Sequence, residues 1–524
     1  MDKLPINNIN QPGNPTLERG DGLNPSQLKA VDHQGGHLLI IAGPGTGKTH
    51  TLTCRIARLA DEIEPHERIL AITFTRKAAQ EMRDRLQKRC GRLTNIEAGT
   101  FHQFCLKTLK EHTSFIPGFE NLEPADPGQI KVLLKEIWPG LSPRGINDRI
   151  NGISKWKSGG FLDADMPGEV AEYDQRLKSK GLIDFDSLLM EAYKLFASHQ
   201  EILDQARRKF RYIFVDEYQD INRVQHALLT LLITDQNYIT AIGDPNQAIY
   251  SFRGSDVNFF KEFEQDFKGA RVLTLSDNYR SGEKLLTAAG QIIAGENLFQ
   301  VPPLTAQLYI QDRLVIHEAA TQKAEAEYMV HQIEKMIGGG SLFSQDSGRV
   351  SAFEKAQVSF GDIAILYRLN SQQYAVRQAL DRIGFPYNVA VKTKPEDEDE
   401  AGPLTGEEMD IDCEKISLMT LHASKGLEFP VVFIIGCEQK LLPLDLEGLT
   451  SDTREERRLF YVGMTRAKQW LYLLRSRRRT LFGKTYTTEP SVFLADIEEE
   501  LKNYEHNLLK QRRVKKQEQQ INLF

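Results

Sequence analysis

The eight residues Ala42-Gly43-Pro44-Gly45-Thr46-Gly47-Lys48-Thr49 constrain the fold of this chain more than any other stretch. They lie between an apolar run at residues 37–41 and a helix-like stretch at residues 51–60. A buried strand, a glycine-rich turn and a helix in this order are typical of a phosphate-binding loop, whose backbone N–H groups surround a polyphosphate at the helix N-terminus. The sequence therefore predicts an α/β domain that binds a nucleoside triphosphate.

The residue types of this loop also predict what its side chains do. Lys48 is expected to reach the β- and γ-phosphates, and the Thr49 hydroxyl is expected to ligate Mg²⁺. Ala42 stands where the pattern has glycine, and it is small enough for a turn that needs no positive φ. We expect nucleotide contacts from Ala42, Gly43, Pro44, Gly45, Thr46, Gly47, Lys48, Thr49 and His50.

Short apolar segments that end at polar or glycine-rich turns alternate with helix-like stretches. This alternation is typical of parallel sheets whose functional loops follow the carboxyl ends of the strands. Because the segments fall into two sets, the sequence predicts two α/β lobes. The first set lies at residues 38–42, 69–74, 212–215 and 238–242, and the second at residues 271–275, 314–318, 363–367, 416–421, 431–435 and 470–474.

Net charge alone decides little about a nucleic-acid partner. The formal charge of the 524 residues is −6, yet residues 396–412 contain nine acids and no base, and the remainder carries +3. Basic clusters lie at residues 475–479 and 510–516. Such clusters are more often solvated helix faces than binding sites. Charge therefore permits a nucleic-acid partner without demonstrating one.

Composition narrows the class of protein further. No apolar run approaches the ~18 residues of a membrane helix, and residues 1–21 are polar. The five cysteines have no C-x-x-C spacing, which argues against a disulfide framework and against a zinc or iron–sulfur site. We expect a cytoplasmic protein of three or four domains or subdomains.

Chemistry-bearing residues follow two of the predicted strands. After residues 212–215, an acidic pair suits Asp216 to hold Mg²⁺ and Glu217 to polarise the attacking water. After the next strand, Gln247 is placed to sense the γ-phosphate. Tyr250 and Phe252 follow it and could offer ring faces to bases, although aromatics at this spacing are more often packing residues.

Further motifs follow one another along nearly the whole chain. They lie at residues 23–27, 74–82, 99–103, 183–189, 278–281, 418–429 and 455–468. With the phosphate loop and the acidic pair, this ordered set resembles the superfamily 1 DNA helicases of the UvrD/Rep/PcrA group. The resemblance implies an α/β fold of two RecA-like P-loop NTPase lobes with parallel sheets, and an inserted helical subdomain in the first lobe.

The resemblance also implies ATP and Mg²⁺ as cofactors and assigns residues to the nucleotide. In the family, Gln27 would read adenine, Tyr279 would stack on it, and Glu428 would meet the ribose. Arg280 and Arg466 would reach the transferring phosphoryl group from the second lobe. Since arginines so placed contribute about 10³ to 10⁵ in rate, hydrolysis is expected to depend on closure of the two lobes.

Single-stranded DNA and junctions of single- and double-stranded DNA are the implied substrates. Sequence-tolerant stacking of bases on aromatic side chains is worth about 1 to 3 kcal/mol per base, so alternating grip between open and closed lobes would move the protein along a strand. We expect DNA contacts from Phe74, Thr75, Arg76, Thr100, His102, Tyr250, Phe252, Arg253, Thr420 and His422.

The implied domains have defined boundaries. Relatives carry a large helical insertion, termed 2B, in the second lobe where this chain has only an acidic linker, so unwinding by the chain alone is in doubt. We expect no nuclease domain after the last motif. The expected parts are a disordered tail at 1–21, a first lobe at 22–104 and 182–275, a helical insertion at 105–181, a second lobe at 276–393 and 413–500, the acidic linker at 394–412 and a basic tail at 501–524.

Three functions remain open at this point. The leading one is an ATP-dependent DNA helicase and translocase that moves 3′ to 5′, as the resemblance implies, acting as a monomer or weak dimer. The second is a DNA-stimulated motor that displaces proteins or serves a complex without unwinding, which the missing insertion favours. The third is a nucleotide-gated DNA-binding scaffold without turnover, which the full set of catalytic residues argues against.

The last five residues predict a protein partner. Gln520-Ile521-Asn522-Leu523-Phe524 resembles the short Q-x-x-L-F peptide by which bacterial DNA enzymes dock on the replicative sliding clamp. Two adjacent apolar residues at a polar terminus call for a partner pocket, and an unfolded tail suits a linear docking peptide. We expect Gln520, Leu523 and Phe524 to contact the clamp, against the alternatives of a chance match or a tail that folds back.

Overall fold

The computed structural model describes residues 22–91, 93–116, 118–119, 122–295, 301–338, 358–389 and 414–505. The predicted tail at residues 1–21, the acidic linker at 394–412 and the sliding-clamp peptide with Gln520, Leu523 and Phe524 lie outside these residues. Within the described part, two parallel sheets are each covered by helices. The predicted α/β fold of two lobes is therefore confirmed.

The first lobe is built on a six-stranded parallel sheet with the order β3-β2-β6-β7-β1-β8. Its chain segment contains the strands β1 (Leu38–Ala42), β2 (Arg68–Thr73), β3 (Ile96–Thr100), β4 (Glu123–Pro124), β5 (Leu182–Ile183), β6 (Phe210–Val215), β7 (Tyr238–Gly243) and β8 (Arg271–Leu275). Its helices are α1 (Pro25–Val31), α2 (Lys48–Ala60), α3 (Arg76–Cys90), α4 (Phe101–Glu111), α5 (Pro127–Ile137), α6 (Pro143–Lys157), α7 (Gly168–Ser179), α8 (Phe185–Ser198), α9 (Gln200–Lys209), α10 (Arg223–Leu232) and α11 (Phe259–Asp266).

The second lobe contains a seven-stranded parallel sheet with the order β13-β14-β12-β15-β18-β11-β21. Its strands and short pairs are β9 (Asp277–Asn278), β10 (Thr305–Ala306), β11 (Arg313–Ala319), β12 (Ile363–Tyr367), β13 (Tyr387–Val389), β14 (Ile416–Thr420), β15 (Phe429–Ile434), β16 (Asp445–Leu446), β17 (Leu449–Thr450), β18 (Ala467–Ser476), β19 (Arg478–Leu481), β20 (Lys484–Thr487) and β21 (Asn503–Tyr504). Its helices are α12 (Glu283–Ala294), α13 (Gln322–Met336), α14 (Gln373–Ile383) and α15 (Thr453–Met464).

The central strands of both sheets are buried along their whole length. Strands β1 and β12 are buried at every residue, as expected where helices cover both faces of a parallel sheet. Their side chains point alternately into separate apolar cores on the two faces of each sheet. The loops that follow the carboxyl ends of these strands are thereby held on a rigid support.

Strand β8 corrects one of two sequence-based assignments of residues 271–275. The grouping of strands places these residues in the second set, whereas the predicted domain boundaries place them in the first lobe. Strand β8 pairs in parallel with β1 and completes the first sheet, so the grouping is wrong here. In β8, Arg271 is exposed and only Leu275 is fully buried. The apolar pattern of this strand therefore does not specify which strand pairs with it, and tertiary contacts decide the pairing. The chain crosses to the second lobe directly after this strand.

A helical insertion lies between β4 and β5, which pair with each other at its base. Helices α5, α6 and α7 bury their own small core, which includes Leu133, Leu134 and Tyr173. At the return to the first lobe, the fully buried Lys157 donates through Nζ to Asp184 Oδ2 at 2.6 Å. Because a buried cation needs a bonded anion, this contact fixes the insertion to the start of α8.

Candidate active site between the two lobes

The phosphate loop connects β1 to α2 and has the backbone that its sequence requires. Gly45 and Gly47 adopt positive φ angles of 69° and 79°, a region in which glycine is favoured. The Thr46 hydroxyl donates to the Gly43 carbonyl at 2.8 Å and closes the turn. No side chain caps the start of α2, so its first N–H groups are available to an anion. This cradle fits a polyphosphate.

Lys48, Thr49 and Asp216, which are predicted to contact the phosphates and Mg²⁺, follow the carboxyl ends of strands β1 and β6. Lys48 begins α2, and its Nζ donates to the carbonyls of Ala42 and Gly43 at 3.3 Å each. Thr49 is half-buried in the first turn, and Asp216 follows β6, the strand next but one to β1. These hard oxygen donors are of the kind that Mg²⁺ prefers. His50 instead approaches Cys54, with its Nε2 at 3.8 Å from Sγ.

Asp216 and Glu217 form a strained turn at the end of β6. Glu217 has φ 52°, which is uncommon for a residue other than glycine, asparagine or aspartate. Its backbone N–H donates to Asp216 Oδ1 at 2.9 Å, and its carboxylate accepts from the Gln219 side chain. A backbone conformation of this kind costs about 1 to 3 kcal/mol and persists where surrounding contacts enforce it, often at functional sites.

The charge state of Glu217 follows from the groups around it. Burial alone would raise the pKa of Glu217, but the positive charges of Lys48, Lys425 and Arg466 and the Gln219 hydrogen bond outweigh burial. The pKa of Glu217 is therefore held below its ordinary value, and the group is a carboxylate at neutral pH. A general base must be in this form to accept a proton.

Lys425 is a residue of this site that the sequence did not reveal. Its Nζ donates to both oxygens of Asp220 at 2.7 and 2.6 Å and to the Gln247 carbonyl at 2.9 Å. Gln247 in turn donates through its side chain to Asp244 Oδ2 at 2.9 Å. Lys425 comes from the second lobe and the others from the first, so this buried ion pair ties the lobes together. Lys425 lies within the motif at residues 418–429, but that motif does not indicate that Asp220 is its partner.

The second lobe also contacts the phosphate loop directly. Asn278 Nδ2 donates to the Pro44 carbonyl at 2.6 Å, and the Tyr279 N–H donates to the Gly45 carbonyl at 2.9 Å. A Cβ at Gly45 would lie 2.6 Å from both Asn278 Nδ2 and Arg280 Cβ. The glycine is therefore required both for its positive φ and for this close approach.

Residues assigned to the base and ribose lie around the same loop. Gln27 Nε2 donates to the Thr46 carbonyl at 3.0 Å, and its Oε1 accepts from the Asn24 N–H, which forms a capping box for α1. Asn24 Nδ2 also lies 3.0 Å from the Tyr279 hydroxyl, which connects α1 to the half-exposed tyrosine. Asn24 was not singled out from sequence, although its role as a helix cap is recognisable there.

Two arginines of the second lobe face the loop and the acidic turn. Arg280 Nε lies 2.5 Å from Glu428 Oε2, and Lys468 Nζ lies 2.7 Å from Glu428 Oε1. Arg466 is buried and donates to the Val462 carbonyl at 2.9 Å and the Leu427 carbonyl at 3.1 Å. These bonds hold the arginine side chains in place.

Neighbouring charges perturb the pKa values of this group. Burial, and then the like charge of Arg280, lower the pKa of Arg466 to about 9. Burial alone would raise the pKa of Glu428, but Arg280 and Lys468 hold it below its ordinary value. The charge of Arg280 acts on the buried Arg466, so a polyanion bound beside both arginines would relieve their mutual repulsion.

A cleft of about 580 Å³ gathers six of the ten expected DNA contacts. Its lining includes the cations Arg76, Lys77 and Arg253 and the rings of His102 and Phe185, which meet edge-on with centroids 5.5 Å apart. Lys77 and Phe185 were not assigned from sequence. The six expected residues that line it are Phe74, Thr75, Arg76, Thr100, His102 and Arg253.

All three threonines of the expected DNA set have local hydrogen bonds of their own. Thr75 caps α3, because its hydroxyl accepts from the Ala78 N–H at 3.1 Å. Thr100 caps α4, because its hydroxyl accepts from the Gln103 N–H at 3.2 Å. Thr420 ends β14, and its hydroxyl accepts from the Ala423 N–H at 3.2 Å. Thr420 lies on the second lobe, outside the cleft.

Tyr250 does not have the exposure that was expected of a base-stacking residue. Its side chain is 1% exposed and belongs to the core of the second lobe's sheet. Phe74 stacks on it with ring centroids 5.6 Å apart, and Lys425 Nζ lies 4.9 Å from its ring centroid. Packing between the lobes is the reason for this burial. A base would reach the Tyr250 ring only if Phe74 moved away.

Phe252 has the exposure that Tyr250 lacks. Its ring is 54% exposed and lies edge-on to His422 of the second lobe at 5.9 Å. Burial, with nearby cations, lowers the pKa of His422 to about 3, and burial, with Arg76, lowers that of His102 to about 4. Both imidazoles are therefore neutral at pH 7, and they offer ring surface and hydrogen bonds rather than charge.

Replacing Gly45 by alanine is expected to lower nucleoside triphosphate turnover at least tenfold. The added Cβ would meet Asn278 and Arg280, and a left-handed backbone conformation costs about 1 kcal/mol more for alanine. Phosphate release and thermal unfolding are measured together. Gly384→Ala is the matched control, because Gly384 has φ 79° but no heavy atom within 4 Å. Equal losses of turnover in both variants would contradict the close-approach argument.

Comparison with known proteins agrees with the motifs and the two lobes. The model of the UvrD/REP helicase N-terminal domain matches residues 23–268, and the model of the UvrD-like helicase C-terminal domain matches residues 273–394 and 402–478. The chain is 29% identical to ATP-dependent DNA helicase PcrA of Bacillus subtilis (strain 168), over 92% of this chain and 86% of that protein. It is 28% identical to the PcrA of Staphylococcus aureus (strain MRSA252), over 91% and 86%.

The alignment with the Bacillus protein spans 655 positions, whereas this chain has 524 residues. That relative therefore contains segments that this chain lacks. The two domain matches together cover most of the chain, in the order in which the two lobes follow each other. The chain belongs to the UvrD/REP helicase family.

Proposed function

We propose that this protein is an ATP-dependent DNA helicase and translocase that moves 3′ to 5′ on single-stranded DNA. The observation that carries the proposal is the convergence of both lobes on one phosphate loop. Lys48 and Glu217 come from the first lobe, and Arg280 and Arg466 from the second. Relatives of this chain bear the name ATP-dependent DNA helicase, which supports ATP and DNA as substrates.

In the proposed reaction, water attacks the γ-phosphorus of ATP, the bond from that phosphorus to the β–γ bridging oxygen breaks, and ADP and inorganic phosphate leave. Glu217 orients the water and accepts its proton, for which its lowered pKa keeps it ionised. Lys48, Arg280 and Arg466 stabilise the charge that spreads over the transferring phosphoryl oxygens, while Gln247 senses the γ-phosphate. Thr49 and Asp216 would hold Mg²⁺, which neutralises phosphate charge when bound.

Nucleotide selection is assigned to residues around the phosphate loop. Gln27 would read the adenine edge, Tyr279 would stack on the base, and Glu428 would meet the ribose. The network in which Asn24 contacts both Gln27 and Tyr279 supports this arrangement, because it fixes the two side chains relative to each other. The loop residues from Ala42 to His50 complete the nucleotide contacts.

The proposed DNA path runs along the cleft of the first lobe and on to the second lobe. Arg76, Lys77 and Arg253 contact phosphates, and Phe252 stacks on a base. Thr420 and His422 continue the path on the second lobe. Because each lobe holds part of the strand, closure on ATP and reopening after hydrolysis would draw the strand through by alternating grip. The direction of movement rests on the family resemblance.

A second function is a motor that displaces proteins without unwinding duplex on its own. The segments that the Bacillus relative has and this chain lacks favour it. A strand-displacement assay run beside displacement of streptavidin from a biotinylated strand separates the two functions. Unwinding of a tailed duplex by the protein alone supports the helicase, and streptavidin displacement without unwinding supports the motor.

Two variants test the proposed chemistry by different routes. Hydrolysis by the parent protein is expected to be weak alone and strongly stimulated by single-stranded DNA of any sequence. Glu217→Gln should lower the stimulated rate by at least about 10²-fold with nearly unchanged ATP affinity, because it removes the base and not the phosphate contacts. Lys48→Ala should lower both rate and affinity. Loss of ATP binding in Glu217→Gln would contradict its assignment as base.

Phe252→Ala is expected to weaken binding of single-stranded DNA by about 1 to 3 kcal/mol and to spare the basal rate. Binding is measured by fluorescence anisotropy of a labelled oligonucleotide, and thermal unfolding is measured beside it. Tyr309→Ala is the matched control, since Tyr309 is a fully exposed aromatic residue that lies outside the expected set of DNA contacts. A lower melting temperature with unchanged DNA affinity would assign Phe252 to packing.

We also propose that the protein acts in the cytoplasm. The described part of the chain contains no helix with the length and hydropathy of a membrane span.

We further propose that the protein docks on the sliding clamp through Gln520, Leu523 and Phe524. Tethering to the clamp would raise the effective concentration of the motor at DNA. A calorimetric titration of the host's clamp compares the intact protein with one that ends at Gln519. Binding by the intact protein alone is expected, and equal binding or no binding contradicts the assignment.

A further inference from the structure

Helix α15 (Thr453–Met464) connects two regions that the proposed function uses separately. Its first turn lies against the first-lobe loop that carries Phe252. Its carboxyl end is followed, two residues later, by Arg466. One helix of the second lobe therefore spans the distance between the proposed DNA contact and the proposed phosphoryl contact.

The first turn of α15 holds this loop at two points. Glu455 Oε1 accepts from the Ser251 N–H at 3.1 Å, and the other Glu455 oxygen accepts from the Ser251 hydroxyl. One turn later, Arg458 Nε donates to the Ala248 carbonyl at 2.9 Å. The segment between these points lies immediately after Gln247 and immediately before Phe252.

The remainder of α15 is suited to transmit a displacement. Its residues from Leu459 to Met464 are all buried, and a Cβ at Gly463 would lie 2.4 Å from Leu421 Cδ2. This closely packed helix of 12 residues is about 18 Å long, and we expect it to move as one rigid body. Arg466 follows that movement, because its Nε donates to the Val462 carbonyl in the last turn.

We propose that Glu455 is a positioning residue that couples a DNA strand at Phe252 to the placement of Arg466. A base stacked on Phe252 fixes the loop, the two Ser251 hydrogen bonds fix the start of α15, and α15 sets Arg466 against the phosphoryl group. This inference rests on the proposed function. It adds a route by which DNA would stimulate hydrolysis.

The test compares two substitutions of Glu455 by the ratio of DNA-stimulated to basal phosphate release. Glu455→Ala removes both hydrogen bonds, and the ratio is expected to fall at least tenfold while the affinity for single-stranded DNA stays within threefold. Glu455→Gln keeps an acceptor for the Ser251 N–H and a donor for the hydroxyl, so its ratio should stay within threefold of the parent. A merely structural role would lower both rates equally.

Glu327→Ala is the matched control. Glu327 lies on helix α13 of the same lobe and pairs with Arg382 at 3.2 Å on the surface, so its loss should leave the ratio unchanged. A parent protein that DNA does not stimulate overturns the proposed function and this inference with it. If DNA stimulates the parent but Glu455→Ala keeps the parent's ratio of stimulated to basal rate, only the coupling is overturned. The same conclusion holds if the basal and stimulated rates of Glu455→Ala fall together.

Discussion

The close approach of the second lobe to the phosphate loop is the contact on which the site depends. Asn278 and Tyr279 bond to the carbonyls of Pro44 and Gly45, which leaves no room for a side chain at position 45. A loop that is built to surround phosphates therefore also serves as a docking surface between lobes. A nucleotide bound at this loop would lie where the two lobes meet, which is what the proposed motor requires.

The charges buried at this interface explain why the site suits a polyanion. Burial penalises every ion there, yet Lys425 is compensated by Asp220, and Glu217 by the cations around it. Arg280 pairs with Glu428, whereas the charge of Arg466 is disfavoured by burial and by the like charge of Arg280. An anion at the phosphate loop would relieve this cost, as the proposed phosphoryl transfer requires.

Much of the fold was predictable because its signals are local. Apolar runs such as β1 and β12 and the glycine pattern of the phosphate loop identify buried strands and a turn without tertiary information. The grouping of β8 with the second set of strands was wrong, and the burial of Tyr250 and the contacts of Lys425 were not predictable. Each depends on which distant residue lies opposite: β1 for the strand, Phe74 for the ring, and Asp220 for the lysine.

The central claim is that residues of both lobes complete one ATP-hydrolysing site. The most direct test is phosphate release by the Arg280→Ala variant at saturating ATP and single-stranded DNA. Arg280 belongs to the second lobe, whereas the phosphate loop belongs to the first. Affinity for a fluorescent ATP analogue is measured beside it. If both lobes complete the site, the rate falls by at least about 10³-fold while nucleotide binding persists. A rate within about tenfold of the parent would show that the first lobe hydrolyses ATP unaided, which contradicts the account.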